Sequence, residues 1–194
     1  MRTLNVAVFS GYDVLANEIK EHHHYIRCSF ERAIKEKIEL IILIGGATNP
    51  DYPYLTEAEA NRRIIEEIYN YKESGKDLIQ IYLLPIGNTA AEGLKAVREY
   101  IFNKNITIDK LLLCMEISRL TGFMIDSLYV KLNDIAHNLV VYGYRFPESE
   151  DEFDNQRKKL SMKIMSHRCK MYKKIRNYIQ KIHQIKMAKK KSIR

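Results

Sequence analysis

The chain has 194 residues, enough for one domain of ordinary size that buries roughly 70% of its unfolded surface, and too few for two full domains. Hydrophobic residues at 46% and charged residues at 29% exclude a disordered, collagen-like or disulfide-scaffold chain. The net charge of +8 is unevenly distributed: residues 1–154 carry 17 basic and 24 acidic side chains, whereas residues 155–194 carry 15 basic side chains and no acid. An acidic body of net charge −7 therefore precedes a basic C-terminal arm, and each needs its own explanation.

Five short runs rich in Val, Ile and Leu read as strands: Leu4 to Phe9, Leu40 to Ile44, Leu78 to Leu84, Lys110 to Met115 and Leu139 to Tyr144. They are apolar at both alternating positions, as parallel strands covered on two sides should be. Helical periodicity fills the gaps. Residues 15–37 place Ile19, Ile26, Phe30, Ala33 and Ile34 on one side, and Thr56 to Tyr71 does the same with Ala60, Ile64, Ile65 and Ile68. Thr89 to Phe102 carries Leu94, Val97 and Ile101, and Thr121 to Leu132 is a shorter candidate. The alternation describes an α/β fold, a three-layer Rossmann-like open sheet of about five parallel strands with helices on both faces. Thr56 with Glu59 three residues on has the capping-box pattern, and Asn88 is a candidate cap for the next helix, with Gly87 easing the turn.

In an open parallel sheet, ligands bind beyond the carboxyl ends of the strands, near the point where strand order reverses. Gly11 follows the first strand, Gly45 and Gly46 the second, and Asn88 and Thr89 the third; Glu116, Ser118 and Arg119 follow the fourth. Glycines directly after a buried strand admit close backbone approach, and their amides together with a helix N-terminus could hold an anion, although tight turns explain the same glycines. Neither GxGxxG, nor GxxxxGK followed by Ser or Thr, nor GxSxG occurs, so no nucleotide fingerprint or hydrolase elbow completes the case. His22, His23 and His24 are consecutive on a helix and diverge by about 100° each, which argues against one metal site. Cys28, Cys114 and Cys169 lack CxxC spacing, which excludes a disulfide framework and a four-cysteine zinc site; Cys114, at the end of a strand, reads as a core residue.

The order and spacing of these elements over residues 4–145 resemble the YdcF/SanA/ElyC-like family, whose Rossmann-like domain has no firmly assigned reaction. Gly11 is similar to that family's glycine after the first strand, Gly45 and Gly46 to its Gly-Gly, and Thr56-Glu57-Ala58 to its Ser-Glu-Ala. Asn88 and Thr89 resemble its Asn-Thr, although Ala91 and Glu92 stand where Glu and Asn are expected; Arg119 matches the arginine of its His-x-x-Arg, with Glu116 in place of the histidine. The resemblance implies a polar pocket, a bacterial source and a tie of some relatives to the cell envelope. It also implies that any proton transfer assigned to the histidine would here fall to a carboxylate of different basicity.

Two functions stay open on these observations. In the first, a small anionic or nucleotide-like ligand, of the nucleotide or S-adenosylmethionine type, sits at the strand carboxyl ends. Glu57, Glu116 and Arg119 are then the candidate catalytic residues, and Gly11, Gly45, Gly46, Thr56, Asn88, Thr89 and Ser118 bind the ligand without a metal. In the second, a non-catalytic protein uses its arm to contact nucleic acid, an anionic membrane or another subunit. The acid run Pro147 to Asp154 marks the boundary, after which Met171, Ile175, Tyr178, Ile182 and Ile185 step by 4, 3, 4 and 3, the pattern of a long basic helix. No run of 18 apolar residues occurs, and Asp13 and Glu18 soon follow the first apolar stretch, so the expected location is the cytoplasm.

Overall fold

A computed structural model describes residues 3–11, 20–69, 79–87, 89–116 and 120–144, all within the unit Met1–Glu148. The order is β1 (Thr3–Ser10), α1 (Lys20–Lys35), β2 (Leu40–Ile44), α2 (Glu57–Tyr69), β3 (Gln80–Leu84), α3 (Ala90–Asn103), β4 (Thr107–Glu116), α4 (Leu120–Tyr129) and β5 (Ala136–Tyr144). All four strand pairings are parallel, and the sheet order is β3-β2-β1-β4-β5. The chain thus winds outward from β1 to β3 and then crosses back to lay β4 on the other side of β1. That reversal sets the switch point at the carboxyl ends of β1 and β4, the usual ligand position of an open α/β sheet.

Alternation along the strands divides the core in two. Ala7, Phe9, Ile41, Leu43, Leu112 and Cys114 face α1 and α2, where Ile26, Phe30, Ile64 and Ile65 meet them. Val6, Val8, Ile42, Ile44, Leu111, Leu113 and Met115 face α3 and α4, where Leu94, Val97, Ile101 and Phe123 close the other side. The three-layer Rossmann-like α/β architecture is therefore the fold of this chain, with β2 buried along its whole length and β3 half-exposed as an edge strand.

Helix ends follow local rules. The capping box expected at Thr56 is present, with the Glu59 amide donating to Thr56 Oγ1 at 3.2 Å and the Thr56 amide donating to Glu59 Oε2 at 3.1 Å. The next helix corrects the reading of Asn88 as its cap: Thr89 is the N-cap, and it forms a second capping box with Glu92. A Thr with a Glu three residues later satisfies two amides reciprocally, whereas Asn88 stands one residue too early to do so. At the other ends, Lys37 and Asn105 adopt positive φ, and Ile38 and Ile106 return their amides to Ala33 and Ile101, the closure of a Schellman motif.

Strands β4 and β5 begin three residues before the apolar runs that announced them. Asp109, His137 and Asn138 point to water there while the backbone continues to pair. Asn88, Ser118, Arg119, the boundary at residue 154 and the long basic helix expected after it lie outside the described residues.

Leu94 is fully buried under α3, whereas Phe102 on the same helix is 78% exposed. In urea denaturation Leu94→Ala is expected to lose about 2–5 kcal/mol through lost burial and the cavity left behind. Phe102→Ala should stay within about 0.5 kcal/mol of the parent; equal losses would contradict the layered core described above.

Candidate functional site

At the carboxyl edge, the loops after β1, β2 and β3 are tied together by their backbones. The Gly11 amide donates to the Ile44 carbonyl at 2.9 Å, and the Gly46 amide donates to the Gly87 carbonyl at 2.9 Å. The start of α2 is stitched to the same turn: the Glu57 amide donates to the Gly46 carbonyl at 3.1 Å and the Ala58 amide to the Gly45 carbonyl at 3.2 Å. Backbone pairing in effect continues past the strand ends. The amides of Gly11, Gly46, Glu57, Ala58 and Glu59 thus donate within the chain.

What the glycines make room for is a side chain. A Cβ at Gly11 would overlap the Glu57 carboxylate and its Cβ, and a Cβ at Gly45 would lie 2.7 Å from both Glu57 Cβ and Oε2. Gly45 also has a φ of +136°, a region that an L side chain rarely adopts. Both positions thus need glycine for one reason, the seating of Glu57 across the ends of β1 and β2. Its Oε1 accepts a hydrogen bond of 2.6 Å from Thr48 Oγ1, on the exposed loop after β2. The first turn of a helix favours negative charge, so the carboxylate suits its place in α2.

Two further polar residues brace this edge from beneath, and neither stood out in the sequence. Asn61, one turn after Glu57 and fully buried, donates from Nδ2 to the Ser10 carbonyl at 3.3 Å. Tyr25 of α1 brings its hydroxyl to 2.8 Å from the Cys114 carbonyl, with the Ser10 carbonyl at 3.3 Å, spanning the ends of β1 and β4 at the switch point. Their signal was a polar side chain on an otherwise apolar helix stripe: Asn61 with Ala58 and Ile65, and Tyr25 next to Ile26.

Other candidates sort themselves by their contacts. Thr56 Oγ1 is engaged with Glu59 at 2.8 Å, and this bond together with the Thr56 amide holds the Glu59 carboxyl below the usual glutamate range. Thr89 Oγ1 accepts from the Glu92 amide at 3.3 Å. Glu116 ends β4, paired with Tyr144 across the ladder. Gly11, Gly45, Gly46, Thr48, Thr56 and Glu57 gather at the edge of β1 and β2, and Thr89 starts the helix that follows β3. Cys114 is fully buried, and desolvation pushes its thiol up to about 12 despite the nearby Ser29 hydroxyl, so it is a core residue rather than a nucleophile.

Among the described residues, no group of three or more His, Cys, Asp or Glu could hold a metal ion, and no helix is long and apolar enough to cross a membrane. On the α1 face, Glu36 bridges Arg32 and Lys110, its carboxyl lowered chiefly by the Lys110 hydrogen bond, and the Arg32 guanidinium lies 5.6 Å from the Tyr142 ring centroid.

No family model and no curated protein matches the chain. Among solved structures it is similar to glucose-6-phosphate 1-dehydrogenase from Mycobacterium avium, at 15% identity and a TM-score of 0.36. The match covers 84% of this chain and 34% of that one, so the chain spans about a third of the length of the structure it matches.

The glycine–glutamate contact predicts strong coupling. Gly11→Ala is expected to destabilise by about 1–3 kcal/mol through overpacking against Glu57. In a Glu57→Gly background the same change should lose most of its effect, giving an interaction term of at least about 1 kcal/mol in a double-mutant cycle followed by denaturant unfolding. Additive losses would show that Glu57 does not fill the space beside Gly11.

Proposed function

We propose that this chain is a YdcF-like, Rossmann-like protein that binds a small anionic or nucleotide-like ligand at the carboxyl edge of its sheet. The observation that supports this most is the Glu57–Thr48 pair, seated by Gly11 and Gly45 beside the switch point. Polar groups gathered where parallel strands end suit recognition. In this reading Gly11, Gly45, Gly46 and Thr56 shape the seat, and Asn88, Thr89 and Ser118 contribute from neighbouring loops. Arg119 pairs the negative charge of the ligand, and Glu57 and Glu116 are the groups available for proton transfer if a reaction accompanies binding. A nucleotide or S-adenosylmethionine is the leading ligand type.

A thermal-shift screen of nucleotides, S-adenosylmethionine and phosphosugars tests the reading. A ligand present at a hundredfold over its Kd adds about 2.7 kcal/mol, which raises Tm by roughly 5–10 °C in a chain of this size. Arg119→Ala should reduce that shift for anionic ligands. Absence of any shift, or equal shifts in both proteins, would count against the proposal.

A second reading rests on a separate observation, the 15 basic and no acidic residues after position 154. If the arm captures polyanions, counterion release makes affinity fall steeply with salt. Full-length protein and a chain ending at Ala188 are to be compared on RNA, DNA and anionic vesicles at two salt concentrations. Salt-sensitive binding weakened by truncation is the expected result, and binding indifferent to both would exclude electrostatic capture by the last residues.

A further inference from the structure

At the opposite end of the sheet from the residues described above, a cavity of about 610 Å³ opens where β4 and β5 begin. Small-molecule sites occupy about 300–1,000 Å³, so its size is ample for one. β4 has ten residues, which puts roughly 30 Å between this cavity and the strand carboxyl ends. Two helix-to-strand turns build it. α3 closes through Asn105, whose φ of 51° lets the Ile106 amide return to the Ile101 carbonyl at 3.1 Å. α4 closes through Lys131, with a φ of 58°, and one turn of 3-10 helix over Leu132–Asp134 leads into β5. Between the two turns β4 is bulged, because Leu4 pairs with Ile108 but Asn5 pairs with Lys110. The extra residue, Asp109, shifts the alternation, so that Ile108 and Leu111, three apart, both face the α3 and α4 layer. A regular strand would have turned Ile108 to the α1 side; here Ile101, Ile106, Ile108 and Ile135 line the cavity together. Re-aiming a side chain beside a site is a recurrent use of such bulges.

Around this apolar lining stand Asn105 and Asn133, one from each turn, with Asp134, His137 and Phe102. Phe102 leaves most of its ring in water at the rim of the cavity, where a flat ligand can lie against it. Asn133 donates from Nδ2 to Asp134 Oδ1 at 2.9 Å, a bond that orients its amide. Carboxamides carry donors and acceptors side by side, the pattern that the edge of a nucleobase presents in return. The lining holds the Asp134 carboxylate and neither Lys nor Arg, so a neutral ligand suits it better than an anion. We infer that this cavity is a second binding site, which takes a neutral planar nitrogen heterocycle of the nucleobase class, adenine in the simplest case. Its face lies against Phe102 and its edge meets the amides of Asn105 and Asn133. The inference is independent of the ligand proposed for the strand carboxyl ends.

The test is a titration of the isotope-labelled full chain with adenine and with benzoate, which is planar but anionic and has no ring nitrogen, followed by amide chemical shifts. Adenine is expected to move the amides of residues 102–108 and 133–137 saturably, and benzoate to bind at least about tenfold more weakly. Phe102→Ala should weaken adenine by about fivefold or more, the loss of one base–aromatic stack. Asn105→Gly keeps the positive φ while removing the amide, and Asn133→Ala removes the other amide; each should weaken adenine by about threefold or more. Circular dichroism melts confirm that the three variants are folded. Benzoate binding as tightly as adenine, or adenine affinity unchanged in Phe102→Ala or in both asparagine variants, would overturn the inference. So would shifts confined to Gly11, Gly45 and Gly46, which would place the base at the strand carboxyl ends and support the proposed function instead. No saturable shift with adenine would remove the second site and leave the proposed function standing.

Discussion

Because β1 has a strand on each side and sends Val6 and Val8 to one face and Ala7 and Phe9 to the other, neither face of the sheet can be left to water. Two apolar faces require two helical layers, and the chain provides them in order, α1 and α2 on one side, then α3 and α4 on the other. Changing sides once means reversing strand order once, which is why β4 lies beside β1 rather than beside β3. The switch point at that reversal is thus a consequence of burying Val6 to Phe9 of β1, and the polar residues around it inherit their position from a hydrophobic requirement.

Past the strand ends the constraint changes from burial to hydrogen bonding. Backbone groups emerging from a buried sheet must still be paired, and here the turns pair with one another: Gly11 with Ile44, and Gly46 with Gly87. Tyr25 and Asn61 add side-chain donors to the Cys114 and Ser10 carbonyls. A burial-driven fold therefore ends in a hydrogen-bonded polar rim, and the Glu57 side chain lies on that rim against Gly11 and Gly45.

The layered sheet was readable because buried parallel strands write their apolar character at every position, as the five fully buried residues of β2 do. The early starts of β4 and β5 were not, since Thr107 and Asn138 are held by backbone pairing that no side-chain pattern records. Gly11, Gly45 and Glu57 were legible as candidates, but their relation was not. Glycine after a strand signals freedom of backbone or room for an approach, and sequence does not say whether a ligand or the protein's own side chain fills the room. Tyr25 and Asn61 were missed because a single polar residue on an apolar stripe carries a weak signal unless its carbonyl partner, 89 residues distant for Tyr25 and Cys114, is known.

The run Thr56-Glu57-Ala58 has a physical reading in this geometry. Thr56 caps the helix, Glu57 fills the seat that Gly11 and Gly45 leave, and Ala58 is fully buried with its amide on the Gly45 carbonyl. The Gly-Gly turn and the three-residue helix start are thus two halves of one unit, since a larger residue in either half displaces the other. Between them the chain passes through exposed Ala47, Thr48 and Tyr54, whose side chains the unit does not bury. The two motifs thus act together to place one carboxylate at the end of the first two strands, where Thr48 of the intervening loop donates to it.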